Sequence, residues 1–124
     1  MSRALVVDDM PSIRAFARAV LAESGLTEVD EAADGQEALA KLNGQSYDLL
    51  ISDWNMPNLD GLGLLKAVRA SETLKALPVI MLTAETTREH VKEAIALGVS
   101  GFVAKPFKPE TLIAAVQRVI PVQE

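Results

Sequence analysis

The 124-residue chain has no cysteine, a single histidine, and only one tryptophan, one tyrosine and three phenylalanines. Without cysteine there are no disulfides and no thiolate metal sites. Basic residues are also scarce: 12 Lys and Arg stand against 17 Asp and Glu, for a formal charge of −5. They form no cluster beyond pairs such as Lys105 and Lys108, which speaks against nucleic acid as a partner, because displacing counterions from phosphates takes a basic stripe. No apolar run approaches the ~20 residues of a membrane helix. Met1-Ser2-Arg3-Ala4-Leu5-Val6-Val7 offers only four apolar residues before two aspartates, too short for a secretory signal core. A cytoplasmic protein without a membrane partner is the expectation. The excess of acid serves either solubility or the gathering of carboxylates around a cation.

What is present is an alternation of two periods. Short aliphatic runs fall at Ala4–Val7, Glu28–Glu31 (weak, centred on Val29), Leu49–Ile51, Val79–Leu82 and Phe102–Ala104. Helical spacing fills the intervals. Ile13, Phe16, Ala17 and Val20 follow Pro11, with Gly25 to close the segment. Asp34 opens a second helix, with Glu37 completing an acid cap, and carries Ala38, Leu39 and Leu42. Leu62, Leu65 and Val68 follow Asp60-Gly61. Thr86-Thr87-Arg88-Glu89 opens a fourth helix that buries Val91, Ala94 and Ile95 before Gly98, and Leu112, Val116 and Val119 lie between Pro109 and Pro121. Five strands alternating with five helices predict one α/β domain over residues 1–124, a parallel sheet with helices on both faces.

In such sheets ligands bind beyond the carboxyl ends of the strands. Asp8 and Asp9 follow the first run, Asp53 the third, Thr83 the fourth and Lys105-Pro106 the fifth. Each has an ordinary explanation: an acid before Pro11 can cap a helix, Asp53 can stabilise the turn ahead of Pro57, Thr83 suits a strand and Lys105 a surface loop. Their joint arrival at one edge favours chemistry. Clustered carboxylates repel unless a cation joins them. With no His or Cys nearby, an all-oxygen set selects a hard ion, and Mg²⁺ fits best because it takes a few carboxylates and leaves positions for phosphate oxygens. Thr83 and Lys105 would hold further phosphoryl oxygens, and Asp53 is suited to act as the nucleophile that forms an acyl phosphate.

The stretches "LVVDD", "DLLISDWNMPNLDG", "VIMLTAE" and "GFVAKPF", taken together, resemble response-regulator receiver domains of two-component signalling, over about Leu5 to Ile120. The continuation Trp54-Asn55-Met56-Pro57-Asn58 is most similar to the chemotaxis members. The resemblance implies a flavodoxin-like (βα)5 fold with strand order 2-1-3-4-5. It implies Asp53 as phospho-acceptor from a kinase phosphohistidine. Mg²⁺ would be bound by Asp9 and Asp53 directly, by Asp8 through water and by the backbone carbonyl of Asn55. Lys105 would contact the phosphoryl group, and its bond to Pro106 would be cis. Asn55 and Glu85 match positions that tune autodephosphorylation, and Thr83 with Phe102 match the switch pair. Phe102 lacks the hydroxyl of the tyrosine common in chemotaxis members; packing in the core is its alternative role.

By the same resemblance the partners are a sensor histidine kinase and an output protein, with a flagellar motor switch the candidate. That output protein would be met by the fourth helix, fifth strand and fifth helix, where Arg88, His90, Lys92 and Glu93 are placed as exposed. A monomer with no output domain, catalysing only its own phosphorylation and dephosphorylation, is expected. His90 is placed on a solvated helix face, and Trp54 beside the metal pocket. A phosphate sink or relay intermediate needs the same site without the readout surface. A Mg²⁺-dependent phosphohydrolase of haloacid-dehalogenase type would want an acid two positions after its nucleophile, where Asn55 and Pro11 stand. A flavin-binding flavodoxin-like protein would want a Ser/Thr/Gly-rich loop where "DDMPS" stands.

Overall fold

The computed structural model describes residues 3–84 and 88–119. Five strands, β1 (Arg3–Val7), β2 (Glu28–Ala32), β3 (Leu49–Asp53), β4 (Val79–Thr83) and β5 (Gly101–Ala104), alternate with α1 (Pro11–Glu23), α2 (Gly35–Gly44), α3 (Gly61–Ala70), α4 (Arg88–Ala96) and α5 (Pro109–Val119). The sheet is parallel throughout in the order β2-β1-β3-β4-β5. Among the described residues no helix is long and apolar enough to cross a membrane.

β1, β3 and β4 read as nearly unbroken aliphatic runs because both of their faces are covered. Ala4, Val6, Leu49, Ile51, Ile80 and Leu82 pack with Ala17, Val20 and Leu21 of α1 and Leu112 and Val116 of α5. The alternate residues, Leu5, Val7, Leu50, Val79 and Met81, pack with Ala38 and Leu42 of α2, Leu64, Leu65 and Val68 of α3, and Ala94 of α4. The period of two sends successive side chains to opposite layers, so each strand contributes to two cores.

Two packing expectations change. Ile95 is 62% exposed, not buried. Ala94 is buried, and the next residue in a helix is turned about 100° from it, which carries Ile95 into solvent. His90 does not lie on a solvated face either. It is half-buried, its ring 5.0 Å from that of Trp54. The capping residues Thr86 and Thr87 lie outside the described residues, as do Ile120 and Pro121.

Candidate functional site

Sheet register builds the site. Val7 pairs with Ser52, so the chain leaving β1 at Asp8 runs beside Asp53, the last residue of β3. Thr83 pairs with Ala104, which brings Lys105 to the same edge, its backbone N–H donating to Thr83 O at 2.9 Å. This edge lies at the carboxyl ends of β1 and β3, where successive crossovers diverge to opposite sides of the sheet, the place at which such folds bind ligands.

One carboxylate oxygen from each of Asp8, Asp9 and Asp53 lies within 4.8 Å of the others. Asp8, Asp53 and Thr83 are buried, whereas Asp9 faces solvent. Lys105 Nζ donates to Asp8 Oδ2 at 2.8 Å and to Asp53 Oδ1 at 2.9 Å. Asp8 Oδ1 also accepts from the backbone of Met10 at 2.9 Å, and Asp53 Oδ1 from that of Trp54 at 2.9 Å. Burial pushes the Asp53 carboxyl above its ordinary range; Lys105 pulls it back, and the negative charge of Asp8 adds to the rise. Burial by itself would lower the Lys105 ammonium, but its bonds to Asp8 and Asp53 outweigh that and hold it above its ordinary value.

Three carboxylates and one ammonium carry a formal charge of about −2 at an edge where Asp9 is exposed. That charge and an all-oxygen donor set suit a divalent hard cation, so the residues present fit Mg²⁺. Asn55 lies two residues past Asp53 and is exposed, while Glu85 is outside the described residues. The Lys105–Pro106 peptide bond is cis.

Trp54 lies beside the acid cluster as expected, its backbone N–H donating to the Asp53 carboxylate. Its side chain is buried in the layer under α2, α3 and α4, with Phe102 stacked at 6.4 Å on a 20° interplanar angle and His90 at 5.0 Å. Phe102 is half-buried in the same layer and borders a cleft of about 350 Å³ with Glu110, Thr111, Ala114, Ala115 and Arg118. Arg14 was not anticipated. It donates to Asp8 O at 2.6 Å and to Glu31 Oε1 at 2.9 Å, tying the loop that carries the acid pair to β2. Its only sequence signal is an arginine in the first turns of the helix that follows the acids.

Gly61 closes the loop after Asp53. Its N–H donates to Trp54 O at 2.8 Å, and a Cβ there would overlap Asp53 O and lie 2.9 Å from Trp54 Cα. Backbone cannot give way as a side-chain tip can, so Gly61→Ala is expected to cost about 2–3 kcal/mol. Urea unfolding reads this as a lower midpoint at unchanged slope; an unchanged midpoint would mean that the loop shifts freely.

Residues 4–117 match the family model of the response regulator receiver domain. The chain is 44% identical over 115 residues to the chemotaxis protein CheY of Pseudomonas aeruginosa, covering 93% of each. To chemotaxis protein CheY-3 of Vibrio cholerae it is 44% identical over 108 residues, which is 87% of this chain and 83% of that one. Among solved structures, the chemotaxis response regulator CheY4 of Vibrio cholerae superposes with a TM-score of 0.90 at 46% identity, covering 97% of this chain and 99% of that one.

Proposed function

We propose, from the premise that the chain belongs to the response regulator receiver domain family, that it takes a phosphoryl group onto Asp53 from a kinase phosphohistidine and thereby switches a protein-binding surface in chemotaxis. The observation that carries this reading is the Lys105 ammonium, bonded at once to Asp8 and Asp53 at the edge where Asp9 joins them.

The step balances simply. An Asp53 carboxylate oxygen attacks phosphorus; the O–P bond forms as the P–N bond of the phosphohistidine breaks, and the imidazole leaves with the nitrogen lone pair. The raised pKa of Asp53 reflects an oxygen kept poorly solvated and so a better nucleophile, while Lys105 keeps it ionised and aimed. Mg²⁺, held by Asp9 and Asp53, by Asp8 through water and by the Asn55 carbonyl, would supply charge neutralisation at the transferring phosphoryl group. Lys105 would pass from Asp53 to a phosphoryl oxygen, and the Thr83 hydroxyl would take another. Hydrolysis of the acyl phosphate by water restores the carboxylate, with Asn55 and Glu85 setting its rate. The chain turns over no outside substrate in this reading.

Phosphorylation turns the singly charged Asp53 carboxylate into a doubly charged acyl phosphate, adding about one negative charge and three acceptor oxygens to the buried edge. Thr83 moving toward those oxygens would leave room beside β4, and Phe102, half-buried against Trp54, stands on the adjacent strand. The readout surface is α4, β5 and α5. Exposed Ile95 and the cleft beside Phe102 give it apolar area for a partner, with the flagellar motor switch the candidate. A soluble, cytoplasmic, monomeric role belongs to the same proposal.

The test uses Trp54 as reporter. Mg²⁺ titrated into the metal-free chain should change its fluorescence, and acetyl phosphate should then produce a second change together with a phospho-adduct by intact mass. Neither response, and no adduct, would leave the acid cluster as a structural feature only.

A further inference from the structure

Residues 54–60, which link β3 to α3 and include Asn55, have no regular secondary structure. Their fastening comes from a different part of the chain, the N-terminus of α2. Asp34 caps that helix, its Oδ1 accepting from Glu37 N at 2.8 Å, and its second oxygen accepts from Asn58 Nδ2 at 2.6 Å. Those bonds, the one from Glu37 first and that from Asn58 next, hold the Asp34 carboxyl below its ordinary range, so it is a charged acceptor at neutral pH. One residue on, Gly35 N donates to Leu59 O at 3.1 Å, and a Cβ on Gly35 would overlap that oxygen and lie 2.8 Å from Leu59 Cβ. Helix and loop are therefore in backbone contact, with no side chain between them.

Asn58 sits at φ 68°, in the left-handed region that asparagine adopts more readily than other non-glycine residues, though still at a cost. Its side-chain amide is what Asp34 grips. Leu59 N bonds Pro57 O at 2.7 Å, and Gly61 N bonds Trp54 O at 2.8 Å, so the loop is shut at its base and pinned at its far side.

We propose that Asp34 is a positioning residue for the metal and phosphoryl site: by gripping Asn58 from the α2 cap, it fixes the path of the loop and so the place of the Asn55 carbonyl. The proposal rests on the reading that this carbonyl is a metal ligand. The α2 cap thus has two tasks, starting a helix and holding a ligand-bearing loop, and only the first is common to helix caps in general. A loop already ordered before the ion arrives leaves the ion less ordering to impose, and affinity rises accordingly.

Two variants separate the tasks. Asp34→Ser keeps a capping oxygen but cannot bridge to Asn58, and Asn58→Gly tolerates the left-handed backbone while deleting the amide. The full chain is titrated with Mg²⁺, followed by Trp54 fluorescence, and hydrogen exchange of the backbone amides of Asn55, Met56, Asn58 and Leu59 is recorded on the metal-free protein. Each variant should bind Mg²⁺ about tenfold more weakly and exchange those amides faster. The double variant should be no worse than the weaker single one, because both remove the same bond. Wild-type-like exchange in the metal-free variants, or Mg²⁺ binding unchanged to within about twofold of a binding wild type, overturns the latch. A wild type that does not respond to Mg²⁺ overturns the receiver reading and the latch with it.

Discussion

Asp53→Asn is expected to abolish the phospho-adduct and, in the same protein, to raise the unfolding temperature of the metal-free chain. The first effect follows from the loss of the attacking oxygen. The second follows from where that oxygen sits: Asp53 is 7% exposed, beside the negative charge of Asp8, and its carboxyl is held above its ordinary range chiefly by burial. For a carboxyl whose folded pKa is raised, the folded state binds the proton more readily than the unfolded chain. Stability therefore falls as pH climbs from the ordinary value of 3.8 through the raised one, and the penalty is complete above it. At neutral pH the ionised Asp53 bears this penalty and the amide bears none, while Lys105 keeps Asp8 as a partner. A gain of about 1 kcal/mol, roughly 4 °C in Tm for a domain of this size, is expected. Thermal unfolding in chelator at neutral pH and again near pH 4 checks it, since the advantage of Asn should vanish at the acid end. A less stable Asn variant at neutral pH would show that the Lys105 pair outweighs burial.

A site that strains its own fold in this way is legible in sequence only collectively. Asp8, Asp9, Asp53, Thr83 and Lys105 are scattered over 98 positions, and each has an ordinary use. What united them was that each follows an aliphatic run, and parallel register converts that into one edge. The strands themselves were readable in proportion to their burial. β1, β3 and β4 are aliphatic because helices cover both faces. β2 is an edge strand whose Glu28, Asp30 and Glu31 pair with Arg3, Arg14 and Arg18, so that only Val29 marked it. Helix faces were readable to within one residue, and Ile95 shows the cost of that margin: a neighbour of the buried Ala94 is already in solvent. His90 was misplaced for another reason. An aromatic contact between residues 36 positions apart depends on how α4 lies over β3, and no local pattern encodes it. The Asp34–Asn58 bond is of the same kind, since each residue alone reads as a cap or a turn.

Lys105→Met should do the opposite of Asp53→Asn, and its rescue by a cation should be the clearest sign of what the lysine does. Methionine keeps the apolar stem packed and removes only the charge. Lys105 is 17% exposed and holds two buried carboxylates at 2.8 and 2.9 Å. Deleting one member of a buried ion pair strands its partners, at a cost of about 3 kcal/mol. The lysine's pKa is raised in the fold, so its contribution is complete below its ordinary value of 10.5 and is lost only as pH rises through the raised one. The full loss should therefore be seen at neutral pH in chelator, by urea unfolding. Two conditions should restore stability. Acidification toward pH 4 protonates the stranded Asp53 carboxyl, which burial already holds above its ordinary range, and Mg²⁺ replaces the missing positive charge, so its stabilising effect should be larger in the variant than in the wild type. Phosphorylation should not return with stability, because the Thr83 hydroxyl alone would remain for the phosphoryl oxygens and the one Lys105 would hold loses its charged partner. A variant that Mg²⁺ stabilises no more than it does the wild type would mean that the ammonium and the cation do not answer the same charge. A variant that is phosphorylated at the wild-type rate would show that Lys105 serves the folded state alone.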